Sequence, residues 1–302
     1  MLNRIEYTKG GKMKNEILLG DCLEMLDMIE TESVEIVITD PPYGISQLNH
    51  DWDKDQIDNS ISKSKISTVK SIPVGMKFDP KDSKDLGTFL GEVAEKLYRV
   101  LKPGSFCLVF SHPRAVHRVA LGFEEKGFEF RDQLIWDYGI GQCKAQGMQN
   151  FIKKAKYIDE SQKEGIIQEL EGFKTAQLAP TYESILLFQK PKVGTTVQNY
   201  LKYGTGLVDF RDGARSNRFS HRKPNKEERL EAGKHPTLKP TSLLEDLIRV
   251  FSREGDTVLD CFSGSASTGV ACIRTKRNYI LIEKCEDYYE KSVERLRLEQ
   301  EK

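Results

Sequence analysis

Asp40-Pro41-Pro42-Tyr43 is the part of this chain best suited to chemistry. It follows Val34-Glu35-Ile36-Val37-Ile38-Thr39, an apolar, β-branched run that reads as a buried strand. Two consecutive prolines prevent a helix from starting and fix an extended turn. A carboxylate, a proline carbonyl and an aromatic ring are thereby held in one rigid array at the strand's end. Such an array suits a flat heterocycle bearing an amino group. Asp40 accepts one N–H, the Pro41 carbonyl accepts the other, and Tyr43 stacks on the ring face. The same residues would also make a plain proline-rich turn, and four residues alone do not separate the two readings.

A second constellation lies near the C-terminus. The run Val258-Leu259-Asp260 ends a strand in an acid, and the small residues from Ser263 to Gly269 then open a helix. Small side chains let a ligand approach the backbone, and the helix N–H groups point at its anionic end. Asp260 has the charge to hold an amine. Glu283, 23 residues further on, ends the next strand, Tyr279–Ile282, where a carboxylate can accept from both hydroxyls of a ribose. Gly264-x-Ala266-x-x-Gly269 also fits the dinucleotide fingerprint loosely, which makes an NAD-dependent dehydrogenase an alternative. The methyl of Ala266 stands where a pyrophosphate requires glycine, room that an adenosyl ligand does not need. A purely structural strand-to-helix turn is the third reading.

Both constellations need strands to carry them. Ile17–Leu19, Val34–Thr39, Phe106–Phe110, Gln133–Trp136, Thr257–Leu259 and Tyr279–Ile282 read as strands. Cys22–Ile29, the stripe Phe89, Leu90, Val93, Leu97 and Leu101, Val116–Lys126, and the segment carrying Leu243, Leu244, Leu247, Ile248 and Phe251 have helical spacing. Repeated β-α alternation implies a parallel sheet with helices on both faces. Two stretches break the rhythm. Residues 45–84, rich in Ser, Lys and Asp, read as a long lid-like loop. Residues 137–234 hold Gly-rich pieces, a mixed helix near 150–170, a strand at Ser184–Gln189 and a polar, basic stretch at 211–229, and read as an insertion.

The chain has 302 residues, enough for one large domain or two modest ones. Its 46 Lys/Arg balance 46 Asp/Glu, but the distribution is uneven: residues 141–240 carry 18 basic and 11 acidic side chains. Arg211, Arg215, Arg218, Arg222, Lys223 and Lys226 stand against one acid, Asp212, in the densest positive run of the chain. That asymmetry points to a polyanion-facing segment, and a solvated face is the bland alternative. The six cysteines form no C-x-x-C pair, as in a reduced protein without a zinc module. No apolar run reaches membrane-spanning length, so the expected location is the cytoplasm. Asp51, Asp53, Asp55 and Asp58 imitate a calcium loop, but Gln56 replaces the required glycine and Ser62 the twelfth-position glutamate. No metal is expected.

Taken together and in this order, the motifs resemble those of DNA amino-methyltransferases in the permuted, beta arrangement. There the catalytic tetrapeptide precedes the target-recognition region and the cofactor loop comes last. The resemblance implies a Rossmann-like, doubly wound, mostly parallel seven-stranded sheet. It divides the chain into a catalytic half, 1–139, a target-recognition insertion, 140–230, and a cofactor-binding half, 231–302. It implies S-adenosyl-L-methionine as cofactor and double-stranded DNA as partner, with a cognate restriction endonuclease and a homodimer as further expectations.

Residue by residue, Asp40, Pro41, Pro42 and Tyr43 match the family's catalytic tetrapeptide. Asp21 and Cys22 match the turn beside the cofactor's adenine. His235, Thr237 and Lys239 fall in the segment flanking its methionine. Asp260, Phe262, Ser263, Gly264, Ser265 and Glu283 match the adenosyl and ribose contacts, with Asp40 bordering them. Trp136 stands where the family places an aromatic near the target base. Two positions depart from the pattern: Cys261 replaces a proline and Ala266 a glycine. Aspartate rather than serine at position 40 favours adenine N6 over cytosine N4. A cytosine-N4 enzyme and a non-catalytic nucleic-acid-binding relative remain the alternatives.

Overall fold

The computed structural model describes residues 13–42, 80–141, 143, 145–176, 178–211, 216–232 and 238–302. Among these residues eight strands form one sheet: β1 (Glu16–Leu19), β2 (Val34–Thr39), β3 (Leu101–Ser111), β4 (Glu129–Asp137), β5 (Tyr182–Gln189), β6 (Arg218–Ser220), β7 (Thr257–Asp260) and β8 (Asn278–Glu283). Their order across the sheet is β1-β8-β7-β2-β3-β5-β4-β6. The five strands from β1 to β3 run parallel. β5 is antiparallel to both its neighbours, and β4 and β6 pair in parallel.

Side chains alternate between two cores as the pleat requires. Val37, Cys107 and Val109 face one cluster, beneath α1 (Cys22–Met28), α2 (Pro80–Val100) and α3 (Val116–Glu124). Ile36, Ile38, Phe106, Leu108 and Phe110 face the other, beneath α8 (Thr241–Phe251) and α9 (Ser267–Arg274). Burial on both faces explains why these strands read as unbroken apolar runs.

Two expectations need correction, and a third gains detail. Among the described residues the sheet has eight strands rather than seven, because the basic stretch supplies a three-residue edge strand, β6. The insertion proposed over 140–230 contributes to the sheet. β5 falls inside those boundaries yet lies between β3 and β4, with Ile185, Leu186 and Phe188 fully buried. What leaves the sheet between β4 and β5 is the shorter excursion bearing α4 (Gln149–Lys154) and α5 (Glu160–Glu169). Finally, α2 starts at Pro80, so the last residues of the expected loop 45–84 are helical. Proline suits a first helical turn, where its missing N–H costs nothing. The rest of that loop, including the calcium-like acids, lies outside the described residues.

After β5 come α6 (Thr196–Tyr203) and α7 (Lys226–Glu231), and α10 (Glu286–Gln300) closes the chain. Among the described residues no helix is long and apolar enough to cross a membrane.

Candidate active site

Parallel pairing brings the C-terminal ends of β1, β2, β7 and β8 to one edge of the sheet, where open α/β sheets bind ligands. Because β5 runs the opposite way, its first residues, Tyr182 and Glu183, reach the same edge. Gly20-Asp21, Asp40-Pro41-Pro42, Asp260–Ser265, Glu283 and Glu183 therefore lie along one line of strand ends.

The loop after β7 is tightly tied. Asp260 is buried, and its Oδ1 accepts from Thr39 Oγ1 at 2.8 Å and from the Phe262 N–H at 3.1 Å. Its Oδ2 accepts from Thr268 Oγ1 at 2.6 Å. Burial pushes this carboxyl up to about 6, against the pull of those donors, and the charge of Asp40 adds to the rise. A carboxylate offers about four acceptor positions, so three donors leave room for one more.

Glu283 accepts from the Gly264 N–H and the Cys285 N–H, each at 2.8 Å. Burial raises its pKa too, and those two backbone N–H groups oppose the rise. From behind, Ser292 Oγ donates to the Gly264 carbonyl at 2.9 Å and Arg295 to the Ser265 carbonyl at 2.8 Å.

The loop fits an adenosyl ligand on two observations. Ser263 Oγ is buried and makes no hydrogen bond within the described protein. Such an orphan is costly unless a ligand or water satisfies it. Gly264 adopts φ +53°, which lets its backbone turn into the cradle without a side chain in the way. Ala266 is also left-handed, at φ +58° and ψ +32°. An L side chain there costs about 1–2 kcal/mol, the reason a glycine is usual at such a position. Its methyl is fully buried in the core under α8 and α9.

Asp21 caps α1 by accepting from the Leu23 N–H at 3.0 Å and meets Lys284 at 3.2 Å. The neighbouring Cys22 is buried; burial and the Asp21 charge push its thiol up to about 12, so it packs and does not react. Phe262 meets Phe89 of α2 edge-on, with ring centroids 6.1 Å apart.

Lys239, expected in the segment flanking the cofactor's methionine, is buried between two acids, bonded to Asp40 Oδ2 and 3.5 Å from Glu183 Oε2. Burial alone would push the ammonium down, but Asp40 and Glu183 together outweigh it and hold it above its ordinary value. Neither Glu183 nor Thr39 was singled out in the sequence. The signals that could have found them are the lone acid opening an apolar strand and the hydroxyl just before Asp40.

Trp136 is 2% exposed, packs edge-on against Tyr138 at 5.4 Å and donates its indole N–H to the His221 carbonyl at 2.8 Å. It pairs with Glu183 of β5, so it stands at the active-site edge with its ring packed into the core. The basic run also divides. Arg222 and Lys223 are exposed just beyond β6, on the active-site edge, with Lys223 over the Tyr138 ring at 3.9 Å. Arg218 is bonded to Asp137. Arg211 pairs with Asp209 and lines a cleft with Glu35, Arg253 and Asp256, at the opposite edge where β2 and β7 begin. Tyr43, Arg215, His235 and Thr237 lie outside the described residues. Among the described residues no cluster of His, Cys, Asp and Glu could hold a metal ion.

Comparison with known proteins decides what this edge belongs to. The family model described as DNA methylase, covering N6 and N4 enzymes, matches residues 34–294. This chain belongs to that family. The methylase is 28% identical to the type II methyltransferase M.HindIII of Haemophilus influenzae, over 93% of this chain and 94% of that protein. It is 25% identical to the type II methyltransferase M2.DpnII of Streptococcus pneumoniae, over 98% of each. In fold it matches the PvuII DNA methyltransferase, described as cytosine-N4-specific, with a TM-score of 0.62 at 17% identity over 94% of this chain and 86% of that one. The M1.HpyAVI–SAM complex matches with a TM-score of 0.54 at 18% identity, over 93% of this chain and 99% of that one. The methylase acts on DNA, and its methyl donor is S-adenosylmethionine. The dehydrogenase alternative falls with the family.

Proposed function

We propose that the methylase transfers a methyl group to the exocyclic N6 of an adenine flipped out of duplex DNA. The observation that carries this reading is the carboxylate of Asp40, set at the end of β2 and joined to the cofactor loop through Thr39 and Asp260. The exocyclic amine is a poor nucleophile because its lone pair is delocalised into the ring. Two fixed acceptors, Asp40 and the Pro41 carbonyl, favour the geometry that localises that pair and stabilise the positive charge that grows as the bond forms. A base stacked inside a duplex cannot reach this edge, so it must swing out, and Tyr43 would replace its stacking partner.

Around the donor, Asp260 would take the amine in its remaining acceptor position, Glu283 the ribose hydroxyls, and Ser263 a polar atom nearby. S-adenosylmethionine supplies an activated methyl group on a cationic sulfur. Its alignment with the amine is the protein's contribution. The excursion between β4 and β5 and the basic residues around Arg222 would meet DNA. Similarity to type II methyltransferases makes a partner endonuclease of the same site specificity part of this reading.

Incubation with tritiated S-adenosylmethionine and DNA, followed by digestion and nucleoside mass analysis, tests it. N6-methyldeoxyadenosine is the expected product. N4-methyldeoxycytidine would move the target to cytosine, which the same acceptors could serve, and unlabelled DNA would overturn the catalytic reading.

A further inference from the structure

Asp40 and Glu183 belong to strands that do not touch. In the order β2-β3-β5 a whole strand separates them, so their backbones stand roughly 10 Å apart. Lys239 closes that gap. It enters from the segment leading into α8, lies over Phe110 of β3 with Nζ 5.0 Å from the ring centroid, and reaches both carboxylates. Its side chain is 7% exposed, against 22% for Asp40 and 24% for Glu183. The buried partner is therefore the cation, and the acids keep the solvent-facing side where a base would arrive.

A lysine placed only to neutralise Asp40 would oppose the chemistry, because the amine becomes positive as it is methylated. Glu183 removes that objection. The three ionised groups carry one net negative charge, as Asp40 would alone. What the arrangement adds is direction: a bond to Oδ2 fixes the carboxylate plane, and with it the line along which Oδ1 presents its lone pairs.

We propose that Lys239 and Glu183 are positioning residues for Asp40, Lys239 orienting the carboxylate and Glu183 anchoring Lys239 while restoring the charge. This rests on the reading of Asp40 as the acceptor of the target amine. Misplacing a catalytic group by about 1 Å can cost on the order of a hundredfold in rate, so loss of the strut should appear in the transfer step and not in binding.

The test is the single-turnover rate of methyl transfer at saturating tritiated S-adenosylmethionine and duplex DNA, with calorimetric titration of the cofactor. Lys239→Met is expected to slow transfer on the order of tenfold to a hundredfold while cofactor affinity stays within about threefold. Lys239→Arg should recover part of the rate. Glu183→Gln should slow transfer less than Lys239→Met and add nothing on top of it, the non-additivity expected of groups acting in series. A wild-type rate in Lys239→Met, or a loss confined to cofactor affinity, overturns the proposal. If Lys239→Met does not fold, Glu183→Gln decides alone: a wild-type transfer rate overturns the proposal and a slowed one with intact affinity supports it. Asp40→Asn separates this from the underlying reading. Near-normal transfer in that variant would remove Asp40 from catalysis, whereas its inactivity beside a fully active Lys239→Met defeats only the strut.

Discussion

At the scale of single residues, two of the site's carboxylates have surroundings that set them different tasks. Asp40 is half-buried and faces the edge where a base would enter. Asp40→Ala should reduce turnover on the order of a hundredfold or more, the usual loss for an acceptor used mainly in the transition state, while cofactor titration stays near wild type. Turnover within tenfold of wild type would count against its role. Asp260 is the opposite case, sealed among Thr39, Thr268 and the Phe262 N–H with its carboxyl pushed up to about 6. Its folded value lies above its ordinary one, so the folded chain holds the proton more tightly than the unfolded chain. This group's contribution to stability is therefore greatest below about pH 4, falls as pH rises to about 6, and is flat above. Ionised at neutral pH, it costs on the order of 1–3 kcal/mol. Asparagine can keep the same partners, since the Thr268 hydroxyl can accept as well as donate. Urea unfolding should show Asp260→Asn more stable than wild type at pH 8, with the gap narrowing at pH 5. Cofactor affinity should fall in the same variant, because a charged amine loses its counter-ion.

At the scale of elements, the strands that carry the site were legible, and the reason is physical. A parallel sheet covered on both faces writes its strands as continuous β-branched runs, and tight strand-to-helix turns write themselves in small residues. Asp260 to Ser267 could be placed from the sequence because chemistry and turn geometry demand the same residue types there. The meeting of Lys239 with Glu183 could not. It depends on one strand reversing direction and one side chain crossing a neighbouring strand, and neither leaves a periodic trace. The burial of Trp136 was hidden for a related reason: an aromatic at a strand's end has the same spacing whether it faces a ligand or the core. The packing behind the cofactor loop gives an element-level prediction. Gly269 of α9 lies so close to β8 and α10 that a Cβ would stand 2.8 Å from Leu281 Cδ1 and 2.7 Å from Leu296 Cδ2, both buried. Gly269→Val must push α9 outward, at the upper end of the about 1–3 kcal/mol that overpacking costs. The loop that α9 anchors would move with it. Both the urea midpoint and the cofactor affinity should drop, and loss of stability with unchanged affinity would mean that the loop is held from α10 alone.

At the scale of the molecule, a chain of zero net charge must still hold a polyanion, and the fold shows how its cations are shared out. A count along the sequence groups Arg211 with Arg222 and Lys223, because only ten residues lie between the first two. In space they part company. The chain passes from one edge of the sheet to the other between them, with β6 on the way, leaving Arg211 beside Asp209 at the edge away from Asp40. A base reaching Asp40 brings its flanking phosphates to the active-site edge, so only cations there can neutralise them. Each lost phosphate contact should lower the slope of log affinity against log salt by about 0.9. Arg222→Ala with Lys223→Ala should therefore flatten the slope by up to about 1.8, measured by fluorescence anisotropy on duplex DNA between low and moderate salt. Arg211→Ala should leave it unchanged, as should Arg218→Ala in large part, since Asp137 already neutralises that guanidinium. Cofactor affinity should hold in all of them. A slope that responds to Arg211 and ignores Arg222 and Lys223 would place the duplex across the opposite edge, too far from Asp40 for a flipped base to arrive, and would unseat the arrangement proposed for DNA.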